Sequence, residues 1–134
     1  MANINSNVIT LKKTKQLLSK ASDVWSGNIK EYVINVANEL DVVLALKAAT
    51  VGSTSNRTIT IQGIQSPSDT VGTPITGTTH FGGLITFNSY LMEQSEFEAQ
   101  LNVSKFKYIK VTIQMGGNQT LDAFIYSGRI DILT

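Results

Sequence analysis

Cysteine is absent from this chain of 134 residues, which excludes a disulfide framework, a cysteine-based zinc site and a thiol nucleophile. Histidine occurs once, at His80. A lone imidazole needs an orienting partner and a nucleophile or activated water in reach, and the nearest acid in sequence, Asp69, lies across a Gly/Thr-rich stretch. His80 is therefore expected in a loop or packing role, and the chain is expected to carry no catalytic residues, no metal and no cofactor. Charge is also scarce, at 16% of residues with a net of +1, so neither nucleic acid nor an anionic membrane is an expected partner. No apolar run approaches the roughly 18 residues that span a bilayer, and MANINSNVITLKK lacks the regions of an export signal. Synthesis in the cytosol is expected. The N-x-[ST] matches at Asn56, Asn102 and Asn118 then read as incidental.

What is abundant is β-branched. Ile, Val and Thr number 14, 10 and 15, and such side chains suit a pleated, half-buried surface. LDVVLALKAATV is apolar on both parities, as in a strand buried on both faces. RTITIQGIQS alternates Ile59 and Ile61 against Thr58, Thr60 and Gln62 until Gly63 breaks the phase, which predicts a bulge. FEAQLNV places Phe97, Ala99, Leu101 and Val103 on one face, and KYIKVTIQM does the same with Ile109, Val111 and Ile113. GGNQT supplies a turn for a hairpin between that strand and the closing one. Pro67 to Gly83 holds both prolines and reads as a long, largely irregular connection. LITF reads as a brief strand, and NSYLMEQSE as a turn or a single helical turn. Together these predict an all-β, antiparallel two-sheet sandwich, with jelly-roll and Ig-like topologies both open.

Residues 1–38 form a separate basic segment leading into a body over 39–134. Its first 30 residues hold five lysines against one aspartate, net +4, leaving six basic and nine acidic residues, net −3, in the remainder. The apolar spacing in TLKKTKQLLSKASDVW is loose, so a short helix and an extended arm both fit. Leu11, Lys12, Lys13, Lys15, Leu17, Leu18, Lys20 and Trp25 combine apolar anchors with positive charge, which suits an attachment arm that orders against a protein partner. Glu93, Glu96 and Glu98 form the densest acidic group. They lack the D-x-[DN]-x-[DN]-G register of a cation loop and are expected to be a solvated rim. MGGNQT and HFGG contain neither phosphate-loop pattern and read as turns.

The succession VVLALKAA, RTITIQGIQSPSD, LNVSKFKYIKVTIQMGGNQTLDAFIYSGRIDI resembles small tailed-bacteriophage capsid cement, or head decoration, proteins. IQGIQSPSD corresponds to that family's L-Q-x-S-like strand end, KYIKVTI to its basic-aromatic strand, and SGRIDI to a closing strand with a small-Gly step. The resemblance covers about residues 40 to 133. It implies a β-sandwich or jelly-roll body that docks on an assembled head and bridges major capsid subunits without catalysis. A structural component of the phage neck, tail or baseplate is the alternative reading, other virion structural proteins are then the partners, and self-association into a homo-oligomer, a trimer being one form, is expected as well. A carbohydrate-binding module is the alternative of another class, with Tyr90, Tyr108, Phe124 and Tyr126 as its candidate aromatics.

Overall fold

The computed structural model describes residues 8–26, 29–48, 57–79, 83–92, 96–115 and 118–133. Every regular element within them is a strand: β1 (Val8–Ser26), β2 (Ile29–Asn35), β3 (Asp41–Ala48), β4 (Arg57–Ile64), β5 (Thr73–Pro74), β6 (Thr76–Thr79), β7 (Leu84–Thr86), β8 (Tyr90–Met92), β9 (Glu96–Asn102), β10 (Tyr108–Met115) and β11 (Asn118–Leu133). They build two antiparallel sheets, β1-β11-β3-β9-β6-β7 and β2-β10-β4-β5, with β8 also paired to β4. The expected all-β sandwich is present, and of the two alternatives for the N-terminal segment the extended one is taken.

The pairing is nested. β1 pairs β11, β2 pairs β10, β3 pairs β9 and β4 pairs β8, as if one long ribbon had been folded at β5 to β7 and then rolled. Rolling adds the β11–β3 and β10–β4 ladders. Consecutive long strands therefore fall in opposite sheets, which is the jelly-roll arrangement and not the Ig-like one.

Alternation explains the core. β10 turns Ile109, Val111 and Ile113 inward, opposite Gly63, Ile61 and Ile59 of β4, and these isoleucines and valine are buried. The other sheet contributes Leu44 and Leu46 from β3, Phe97, Ala99 and Leu101 from β9, and Leu121, Ala123 and Ile125 from β11. Val42 and Val43 are both fully buried, but on the outward parity Ala45 is half-buried and Lys47 exposed, so β3 is covered on both faces only near its start and not along the whole run as its sequence predicts. Phe87, Tyr90 and Phe97 pack as a cluster with centroids 5.2–5.9 Å apart.

Four local expectations are corrected. β10 and β11 do not form a hairpin: each already has its partner in the nested ribbon, so the chain changes sheets between them. Gly63 is not a bulge, because the β4–β10 register runs unbroken from Arg57 to Ile64. The 67–83 stretch is less irregular than its glycines suggest, since it holds β5 and β6, and Tyr90–Met92 is a strand, entered through Ser89 at φ 71°. Ile75 and Phe87 are the points at which the chain passes between sheets. Ile75 N–H donates to Ile61 O, Phe87 N–H to Ile75 O and Ile61 N–H to Phe87 O, each at 2.9 Å, which stitches this side of the sandwich shut. The turn at 52–56, the Gly116–Gly117 pair, His80, Glu93 and Asn56 lie outside the described residues.

Candidate interaction surface

All eight candidate interface residues fall on β1, the outer strand of the six-stranded sheet. In register with β11, Leu11 stands opposite Ile130, Lys12 opposite Arg129, Lys13 opposite Gly128, Lys15 opposite Ser127, Leu18 opposite Ile125, Lys20 opposite Ala123 and Trp25 opposite Gln119. Three register shifts interrupt the ladder, between Lys13 and Lys15, Gln16 and Leu18, and Lys20 and Asp23. The second explains how adjacent residues Leu17 and Leu18 can both be partly buried against the core. Those two leucines therefore serve the body's own packing. Bulges and lysines along an outer strand also discourage the addition of a further strand from another chain, so contacts to a partner are better made through faces than through this edge.

β11 pairs β3 only from Leu121 to Ser127, whereas its pairing with β1 runs on to Leu133. Six rungs, Val8–Lys13 against Gly128–Leu133, thus form a two-stranded ribbon that projects about 20 Å past β3 at the usual rise per residue. Residues directly opposite share a face. Ile9 stands opposite Ile132, Thr10 opposite Asp131, Leu11 opposite Ile130 and Lys12 opposite Arg129. Gly128, at φ 138°, marks the root opposite the first register shift. Beside it Ser127 Oγ donates to Glu39 Oε1, tying the root to the turn between β2 and β3.

The outer face of the same sheet carries a shallow depression of about 240 Å³. Its floor includes Ala45, Phe124 and Tyr126, and its rim Glu96, Glu98 and Asp122. The two rings stack on each other at 6.2 Å and 27°, both half-buried. Lys47 reaches Glu96 at 3.7 Å, with both side chains well exposed, a pair of little energetic weight. Glu98 is half-buried here and Glu96 exposed. Of the four aromatics considered for carbohydrate binding, Tyr90 belongs to the core cluster and Tyr108 lies on the other sheet, so only Phe124 and Tyr126 meet.

Among the described residues no group of three or more His, Asp or Glu side chains is placed to hold a metal ion, and no helix is long and apolar enough to cross a membrane. Asp69 is a loop organiser: its Oδ2 accepts from the backbone N–H groups of Gln65 and Ser66 at 3.1 Å, and its carbonyl accepts from Lys110 Nζ at 2.8 Å. Arg57, at the start of β4, is buried, and burial lowers its pKa from the ordinary arginine value. Nothing in the sequence pattern flagged that residue.

No family model matches the sequence, and no curated protein sequence matches it. The fold does have a counterpart. The crystal structure of SPBc2 prophage-derived protein YomS superposes with a TM-score of 0.52 and 15% identity, over 93% of this chain and 100% of that one. At that identity the likeness is one of fold.

Proposed function

We propose that this chain is a non-catalytic structural component of a bacteriophage particle. The observation that carries the reading is the fold shared with a prophage-derived protein over the whole of that protein and nearly the whole of this chain. The surfaces described above support it: a closed, well-packed sandwich, a projecting ribbon and a broad sheet face offer area for contact rather than a deep site for chemistry. Within the particle, the chain docks on the assembled head and bridges neighbouring major capsid subunits, as the resemblance to head decoration proteins implies. A neck, tail or baseplate position would use the same surfaces against a ring-shaped partner.

The test is sedimentation of the purified full-length chain with particles that lack it. Co-pelleting that saturates at a fixed ratio of chain to capsid subunit, and weakens with added salt, supports head docking; saturation at a few copies per particle moves the chain to the neck or tail. Failure to pellet with any particle or shell contradicts the reading.

A further inference from the structure

We propose that two copies of this chain pair through the open edge of β2, antiparallel about a twofold axis at Val33, so that the sheet holding β2 continues from one copy into the other.

A strand at the rim of a sheet invites the addition of another strand unless it is short, bent or otherwise guarded. Among the described residues the other outer strands are guarded: β5, β7 and β8 are two to three residues long, and three register shifts break β1. β2 differs. It runs for seven residues, IKEYVIN, with neither Gly nor Pro, keeps an unbroken register with β10 and has no second ladder partner among the described residues. Val36 N–H donates to Lys107 O at 2.8 Å, directly across that register, and bonded pairs alternate along an antiparallel ladder. Ile34, Tyr32 and Lys30 therefore turn their backbone groups to β10, and Ile29, Glu31, Val33 and Asn35 turn theirs to the open side. Ile29 and Val33 are also 60% and 40% exposed. Beside this edge the mouth of the sandwich is open, with a cleft of about 450 Å³ lined by residues 16–18 of β1 and 33–35 of β2.

The edge suits a second copy of itself. Each copy supplies both the outward donors and the outward acceptors, and the strand's two charges, Lys30 and Glu31, cancel, so the copies do not repel through it. Side chains select the register, because residues directly opposite share a face. An axis at Glu31 would set two carboxylates against each other, and an axis at Tyr32 would set Lys30 against the buried Ile34. An axis at Val33 sets Val33 against its counterpart, Glu31 against Asn35 and Tyr32 against Ile34. The paired rungs are then 31–35, which leaves Lys30 outside them and ends where β2 ends. The partner's edge also covers the open cleft. Since the same patch serves both copies, the contact is isologous and closes as a dimer. The inference needs only this chain and stands apart from the virion reading.

The experiment is native mass spectrometry and sedimentation of the full-length chain over a concentration series, with variants at β2. The natural chain should be a dimer that dissociates on dilution. Val33→Lys, and separately Val33→Pro, should weaken dimerisation by about tenfold or more, since lysine guards an edge and proline removes an outward N–H that the chain's own ladder does not use. Thermal melts of the dilute variants establish that they are folded. Because the chain has no cysteine of its own, introduced thiols report the register in a glutathione redox buffer. Val33→Cys should form a disulfide-linked dimer, its Cα atoms lying about 5.5 Å apart across the axis. Glu31→Cys should not, its Cα atoms being roughly 14 Å apart along the strands. Should the proline variant melt early, the lysine and cysteine variants decide. A natural chain that is monomeric or trimeric throughout the series, a Val33→Lys variant that dimerises as tightly as the natural chain, or a disulfide that forms through Glu31→Cys and not through Val33→Cys would overturn the proposal.

Discussion

The ring of Phe106 lies against the backbone of Gly63: a Cβ added at Gly63 would stand 2.4–2.5 Å from three ring carbons. The glycine sits in an unbroken ladder opposite Ile109, so close approach of the ring, and not backbone conformation, is what requires it. Gly63→Ala should destabilise by about 1–3 kcal/mol through overpacking, read from urea denaturation. Combined with Phe106→Ala, the cost should fall well below the sum of the two single changes. Additive costs would show that the two residues do not press on each other.

Val111 is the centre of the inward face of β10, opposite Ile61 and Tyr32, and is 1% exposed. Val111→Asp places a carboxylate there without a designed partner, at a cost of roughly 3 kcal/mol or more. The variant should be largely unfolded at room temperature by near-UV circular dichroism. A native spectrum and an unchanged melting temperature would contradict the inward assignment.

Arg57 is buried at 2% exposure, and the depressed pKa means that burial disfavours its charged form. Arginine nonetheless stays protonated throughout the accessible range, so the cost is constant and adds no slope to stability between about pH 5 and 9. Arg57→Met, which keeps most of the volume, should lie close to the natural stability, whereas Arg57→Ala should lose about 2 kcal/mol or more by opening a cavity. Equal losses in the two variants would mean that the guanidinium, not the side chain's bulk, is what the site requires.

Protection against amide exchange should be graded along β1. Residues paired to the part of β11 that is itself backed by β3, around Leu18 to Lys20, should exchange far more slowly than the rungs from Val8 to Lys13, which have only a two-stranded ribbon behind them. Uniformly fast exchange from Val8 to Ser26 would mean that the segment is not part of the sheet in the free protein.

Much of the sandwich was legible because period-two alternation is strong wherever one face enters the core, as in Phe97 to Val103 and Ile109 to Ile113. β1 was not legible as a strand. Three register shifts reset its alternation within 19 residues, so the leucines at 17 and 18 look helical or random when read without β11 beside them. Gly63 looked like a bulge because sequence records the missing side chain but not the ring that fills its place. The missed exchange of sheets between β10 and β11 has the same origin: a Gly-Gly-Asn turn is compatible with a hairpin, and only long-range pairing to β2 and β1 reveals the crossing. Of the candidate surface, the basic residues of β1 could be read directly as residues, though not as part of a strand. The depression on the outer sheet face could not, since Glu96, Ala45 and Phe124 come from three strands far apart in the chain.

The central claim, that this chain is a structural part of a phage particle, is tested most directly by immunogold electron microscopy of particles released from cells that encode it, using antibody to the purified chain. The account predicts gold at one repeated position on intact particles, distributed over the head if the chain is a decoration protein and confined to one end of the particle if it belongs to the neck or tail. Particles free of gold, with the chain recovered entirely from the particle-free fraction, would contradict it.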